Sequence, residues 1–156
     1  MTELGKQPMF YKDWVIVFNG EIYNFKDFYS ELKSHGYEIR THSDTEVLLK
    51  LFQYQGLKML NRLNGMFAFV IWDKKERKLT AVRDRMGVKP LYYSFYNETF
   101  YFASEQKALF TAGVPLKMAK EGMEDEEALK HVDSNGVVLQ MGDTVVLIKE
   151  LDVKGS

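Results

Sequence analysis

Met66-Phe-Ala-Phe-Val-Ile-Trp72 is an uninterrupted apolar run. Side chains of a strand alternate between two faces, so a run without polar alternation needs cover on both. A sheet with a layer packed on each side is therefore expected. A charged turn, Asp73 to Lys78, leads from this run into the extended stretch Leu79-Thr-Ala-Val82. Residues 91–96 and 99–103 then read as a hairpin around Asn97-Glu98. Aromatic residues make up 14% of the chain, with 11 Phe and 9 Tyr, which fits a sheet-rich interior. Those in the hairpin, such as Tyr93, Phe100 and Phe102, read as cross-strand packing and not as a platform for stacking bases.

Upstream the periodicity is helical. Ser43-Asp-Thr-Glu46 has the form of a capping box, and the helix behind it buries Val47, Leu48, Leu51 and Phe52 up to Gly56. Leu57, Leu60 and Leu63 continue as a short second helix ending at Gly65. Asn24 is placed as an N-cap for a helix whose apolar face is Phe25, Phe28, Tyr29 and Leu32, with Gly36 at its C-terminus. Tyr37-Glu-Ile-Arg-Thr41 alternates like a half-buried strand, and residues 1–13 read as a loop. Ser104-Glu-Gln-Lys107 opens a last short helix. Helices and strands fall in groups and the later strands are antiparallel, which predicts a layered α+β architecture.

The stretch with most chemical content is Val15-Ile-Val-Phe-Asn-Gly-Glu-Ile-Tyr-Asn24. It reads as a buried strand, an Asn-Gly break, and then a helix. Such an arrangement gathers backbone N–H groups and polar side chains at one mouth. The Asn19 carboxamide and the Gly20 N–H together could form an oxyanion hole. Asn-Gly is also the commonest tight-turn dipeptide, so at this stage a plain turn is the better explanation of the pair. Asp44 is accounted for as an acid at a helix start. Arg83 and Asp84 read as a structural ion pair or turn contact.

Composition closes off other classes. Across 156 residues there are 21 basic and 22 acidic side chains, so no electrostatic footprint favours nucleic acid or an anionic membrane. No apolar run approaches a membrane span, and the first residues lack a secretory pattern, so a cytoplasmic location is the default. The chain has no cysteine, hence no disulfide, thiolate metal site or thiol nucleophile. His35, His42 and His131 show no ligand spacing, and no metal or cofactor is expected. Past Pro115 the composition shifts. Residues 117–131 carry five acids and read as a linker. Residues 132–156 read as a small β-unit, with a turn at Asn135-Gly136 and a strand at 144–148.

Several blocks occur together in a fixed order: Gln7-Pro-Met9, Asn19-Gly-Glu-Ile-Tyr-Asn24, Ser43-Asp-Thr-Glu46, Gly65-Met-Phe-Ala-Phe69, Arg83-Asp-Arg-Met-Gly-Val-Lys-Pro-Leu-Tyr92 and Phe102-Ala-Ser-Glu105. In this order they resemble the glutaminase domain of glutamine-hydrolysing asparagine synthetases, class II amidotransferases with the N-terminal-nucleophile fold. The resemblance covers about residues 7–111 and implies a four-layer α/β/β/α sandwich, here partial, over residues 1–116. It implies that Asn19 and Gly20 form the oxyanion hole and that Glu21 and Asp44 hold the α-amino group of glutamine. Residues 132–156 resemble the start of the C-terminal β-domain of the alkylphosphonate-utilisation PhnA family.

The resemblance also implies parts that this chain does not show. The family's nucleophile is an N-terminal cysteine, and an arginine segment binding the substrate α-carboxylate precedes the Gln-Pro element. Thr2, the first residue once Met1 is removed, sits beside Gln7 and far from the cysteine position in family order. Nothing resembles a phosphate-cradling glycine loop or a synthetase domain. The expectation is an N-terminally truncated amidotransferase domain that holds glutamine weakly and is inactive alone. Its alternative is a non-catalytic interaction module or fusion fragment, which a cysteine-bearing partner chain could complement. Exposed sheet edges predict self-association or pairing with another chain.

Overall fold

The computed structural model describes residues 6–97, 99–115 and 146–152. In chain order the elements are β1 (Met9–Tyr11), β2 (Trp14–Ile22), a 3-10 turn (Phe25–Phe28) running into α1 (Tyr29–Ser34), and α2 (Asp44–Gln55). A second 3-10 segment (Gly56–Arg62), β3 (Gly65–Asp73), β4 (Lys78–Arg83), β5 (Tyr92–Tyr96), β6 (Thr99–Ala103), α3 (Gln106–Thr111) and β7 (Val146–Asp152) follow. The main sheet has the order β1-β2-β3-β4-β7, with every neighbouring pair antiparallel. β5 and β6 pair as a separate two-stranded sheet.

The apolar run of β3 is covered on both faces, as its sequence requires. Phe67, Phe69 and Ile71 join Ile16, Phe18 and Ile22 of β2 in a core closed by Leu32 of α1 and by Val47, Leu48 and Leu51 of α2. On the opposite face Ala68, Val70 and Ala81 pack against Leu91, just before β5, and Tyr93 within it. Each fully buried Leu or Ile contributes roughly 1.5–3 kcal/mol of transfer free energy, so this two-sided burial fixes the register of the sheet. α3 packs against the hairpin with Leu109 buried. The architecture is α+β, layered as helices, sheet, hairpin and helix.

Turn chemistry is local and specific. The buried Asp73 carboxylate accepts the N–H groups of Lys75 (2.9 Å) and Glu76 (3.1 Å), which closes the β3–β4 turn. Lys12, at φ +53°, makes the tight turn from β1 to β2.

Five local expectations are corrected. Residues 9–11, read as loop, form β1 because Phe10 and its neighbours register against residues 14–16 of β2. Asn19-Gly20 is not a turn: β2 runs through it, and Gly20 stands opposite Phe67. Residues 37–40 are not a strand, because their backbone groups bond to side chains of α2. Asn24 does not cap a helix. Its carboxamide bridges Arg62 O (2.9 Å) and Asn64 N (2.9 Å), tying the end of β2 to the segment entering β3. The helices expected from residue 25 and from residue 57 begin or run as 3-10 segments.

Among the described residues no helix is long and apolar enough to cross a membrane. Residues 117–131 and the turn at Asn135-Gly136 lie outside the described residues, as does Thr2. Of the segment from 132 onward, β7 is described, and it pairs with β4 from Arg83↔Val146 to Lys78↔Asp152.

Candidate functional site

β2 outruns β1. The short edge strand reaches only Ile16, so from Val17 onward one side of β2 has no strand beside it among the described residues. Alternate N–H groups face that side. Side chains take two of them: Gln7 Oε1 accepts from Phe18 N at 2.5 Å, and Asp44 Oδ2 accepts from Ile22 N at 3.2 Å. The same alternation turns the Gly20 N–H to this edge, between the two capped positions.

Gly20 has φ +146°, a conformation that L side chains rarely adopt. A Cβ here would lie 2.1 Å from Met66 O and 2.8 Å from Phe67 Cα. Gly65 repeats the constraint from the other strand, since its Cβ would sit 2.2 Å from Glu21 O. Glycine at both positions lets the two backbones meet where the candidate residues lie.

Asn19 projects to the hairpin side of the sheet, opposite Ala68, and its Nδ2 donates to Ser104 Oγ at 3.1 Å. The two side chains share a cleft of about 130 Å³ between β2, β3 and the end of β6. Glu21 follows on the same strand with an exposed side chain. A larger hollow of about 320 Å³, between the 3-10 segment and residues 84–88, contains none of the four candidates.

Asp44 opens α2. Ser43 is the N-cap, its Oγ accepting from Glu46 N at 3.1 Å, and Asp44 Oδ1 accepts from Thr45 N at 2.8 Å. With Oδ2 on Ile22 N, the carboxylate joins the helix start to the strand end just past Glu21. The fold thus brings Asp44 to the Asn19-Gly20-Glu21 segment, 22 positions from Ile22 in sequence.

The other half of the expected capping box is replaced. Glu46 does not turn back to its cap. Its carboxylate accepts from Arg40 N (2.9 Å), Thr41 N (2.6 Å) and Thr41 Oγ1 (2.7 Å), and it pairs with the buried ammonium of Lys50. Lys50 also donates to Glu38 O and lies 4.8 Å from the Tyr11 ring centroid. Burial pushes the Glu46 carboxyl up, but these donors outweigh it and bring it down to about 2.

Asp84 is likewise structural. Its buried carboxylate accepts from Phe67 N (3.1 Å), Val88 N (3.0 Å) and Lys89 N (3.0 Å), while Arg83 donates to Gly87 O and Lys89 O, each at 2.7 Å. Burial raises the Asp84 carboxyl, and the backbone donors lower it further, to below its ordinary value. Residues 84–89 are thereby pinned to β3. Among the described residues no group of three or more His, Cys, Asp or Glu is placed to hold a metal ion.

Sequence reasoning missed the parts played by Gln7 and Ser104. Both lie in blocks already noted for their order, Gln7-Pro-Met9 and Phe102-Ala-Ser-Glu105, but only the fold shows that they meet β2.

Comparison with known proteins gives this geometry a context. The family model described as "Glutamine amidotransferase domain" matches residues 1–147. Asparagine synthetase [glutamine-hydrolyzing] 1 of Bacillus subtilis (strain 168) is 42% identical over 133 residues, 84% of this chain and 21% of the relative. A putative asparagine synthetase [glutamine-hydrolyzing] 2 of Methanocaldococcus jannaschii is 41% identical over 126 residues, 70% of this chain and 24% of the relative. The chain thus spans about a fifth to a quarter of these relatives' length. Among solved structures, the glutamine phosphoribosylpyrophosphate amidotransferase of B. subtilis, complexed with ADP and GMP, superposes with a TM-score of 0.59 at 26% identity. That superposition covers 69% of this chain and 26% of the other. On these matches and this fold, the chain belongs to the glutamine amidotransferase domain family, in its asparagine-synthetase-like form.

Proposed function

We propose that this domain holds L-glutamine at the open end of β2 and contributes the electrostatic half of a glutaminase site. The observation that carries the reading is the bond from Ile22 N to Asp44 Oδ2, which sets a helix-start carboxylate beside Asn19-Gly20-Glu21. Glu21 and Asp44 take the substrate ammonium, for which paired carboxylates give charge-assisted hydrogen bonds. Asn19 Nδ2 and the Gly20 N–H receive the side-chain oxygen, where negative charge develops when the amide is attacked. The attack itself needs a nucleophile, and the chain contains no cysteine. In this reading these residues do not release ammonia from glutamine unaided. The thiol and a cation for the α-carboxylate come from a cysteine-bearing segment outside these residues. We place the domain in the cytoplasm.

An amide-resolved NMR titration with L-glutamine tests the binding half. Shifts confined to residues 19–22 and 44–45 are expected, and a spectrum unmoved at tens of millimolar ligand contradicts the reading. In an ammonia-release assay the purified chain is expected to stay at background. Turnover that survives Thr2→Ala would reveal a nucleophile other than the one argued here.

A second reading, an interaction module, has one observation in its favour. Phe10 and Val17, on the hairpin side of β1 and β2, are 60% and 39% exposed, whereas the hairpin covers β3 and β4. An apolar, edge-exposed sheet of this kind pairs readily with another chain.

A further inference from the structure

Three Asn-Gly pairs occur in the chain, at positions 19, 64 and 135. An asparagine before glycine is open to attack on its side-chain amide by the next backbone nitrogen, because glycine has no Cβ to crowd the approach. We propose that Asn64-Gly65 is a self-modification site of the folded protein, where Asn64 converts to isoaspartate or aspartate with water as co-reactant. The inference is independent of the glutamine reading.

In this conversion the Gly65 nitrogen loses its proton to solvent and bonds to Asn64 Cγ. The Cγ–Nδ2 bond breaks, and Nδ2 takes up a proton and leaves as ammonia. Water then opens the succinimide ring. Attack at Cγ yields aspartate, and attack at the main-chain carbonyl carbon yields isoaspartate, whose backbone runs through Cβ and is one carbon longer.

The two described pairs present these groups differently. Asn64 is exposed and lies just outside β3, and its carboxamide makes no hydrogen bond among the described residues. On the side of β3 away from β2, Phe67 N donates to Asp84 Oδ2 at 3.1 Å and Phe67 O accepts from Asp84 N at 2.7 Å. Strand alternation turns the Gly65 N–H the same way. β4 ends with Arg83 opposite Ala68, so no described strand stands beside Gly65 there. Asn64 and Gly65 instead line the hollow of about 320 Å³ that residues 84–88 border. Asn19, by contrast, is half-buried within β2, and its Nδ2 is held on Ser104 Oγ at 3.1 Å. Packing also preserves the reactive pair, since a Cβ at position 65 would lie 2.2 Å from Glu21 O.

The conversion falls on the tie between β2 and β3. Asn64 N donates to Asn24 Oδ1 at 2.9 Å, and Asn64 O accepts from Tyr23 N at 2.7 Å. In isoaspartate the carbonyl that served Tyr23 becomes part of a free carboxylate off the chain. The added carbon enters where Gly65 has no room to shift.

The test holds the full folded chain at mildly alkaline pH and follows the Asn-Gly peptides by mass spectrometry. Asn64 is expected to convert about tenfold faster than Asn19, the rate equivalent of the additional hydrogen bond that Asn19 must break. In urea the two are expected to convert at similar rates. Equal rates in the folded chain, or a folded Asn64 that stays intact while the unfolded one converts, overturns the proposal. Amide exchange gives a second readout. Tyr23 N–H is expected to lose protection as isoaspartate forms, and to keep it in Asn64→Gln and Asn64→Asp, whose backbones have normal length. Protection retained in the converted chain, or lost equally in Asn64→Asp, overturns the proposed loosening of the tie.

Discussion

At Gly20 the fold and the site make the same demand. The residue needs φ +146° and room for Met66 O within 2.1 Å of where a Cβ would stand. Gly20→Ala should destabilise the chain by about 3 kcal/mol or more, combining backbone strain with forced strand separation, as read by urea unfolding. A loss below 1 kcal/mol would show that β2 and β3 can part here at little cost. The same residue shows why the sequence misleads locally. Permissive backbone and a short amide are the properties used to recognise a turn, and they are equally the properties of a strand crossing at close range. Which applies depends on Met66 and Phe67, more than 40 positions away. Asn24 has the same lesson: a capping residue by type, it spends both ends of its carboxamide on residues 62 and 64.

At the scale of elements, helix α2 was legible because its cap and apolar face are local, while the path leading into it was not. Residues 37–41 alternate like a strand, yet the N–H groups of Arg40 and Thr41 are taken by Glu46 and the Glu38 carbonyl by Lys50. A buried ion pair that satisfies backbone groups leaves no trace in periodicity. It does leave one in pH dependence. The folded carboxyl of Glu46, at about 2, lies below its ordinary 4.5, so its stabilisation is complete above about 4.5 and lost as pH falls toward 2. The linked contribution at neutral pH is about 3 kcal/mol. Glu46→Gln should cost about 3–5 kcal/mol by leaving Lys50 buried without its partner, and should flatten the stability profile between pH 4.5 and 2. An unchanged acid limb would mean that another carboxylate carries it. The loop after β4 makes a parallel case. Asp84→Ala strips three backbone N–H groups of their acceptor and should lose about 3 kcal/mol or more, measured by chemical unfolding.

For the whole molecule, the two-sided apolar run of β3 was enough to forecast a layered fold, and the ordered blocks were enough to forecast its family. The sheet order needed the structure, since β7 joins β4 from the far end of the chain. The hairpin covers only part of the sheet, leaving Phe10 and Val17 exposed. Light scattering across a concentration series should accordingly show mass growing beyond one chain. Phe10→Lys should reduce that growth, and a clean monomer at every concentration would contradict it.

The central claim is that Asp44, bonded to the end of β2, completes a pocket for the ammonium of glutamine. Calorimetric titration of the full chain with L-glutamine, beside Asp44→Ala, addresses it directly. Saturable millimolar binding by the wild type, abolished in Asp44→Ala and absent for an analogue lacking the α-amino group, is the predicted result. Identical heats from wild type and Asp44→Ala, or no saturable heat from either, would contradict the account.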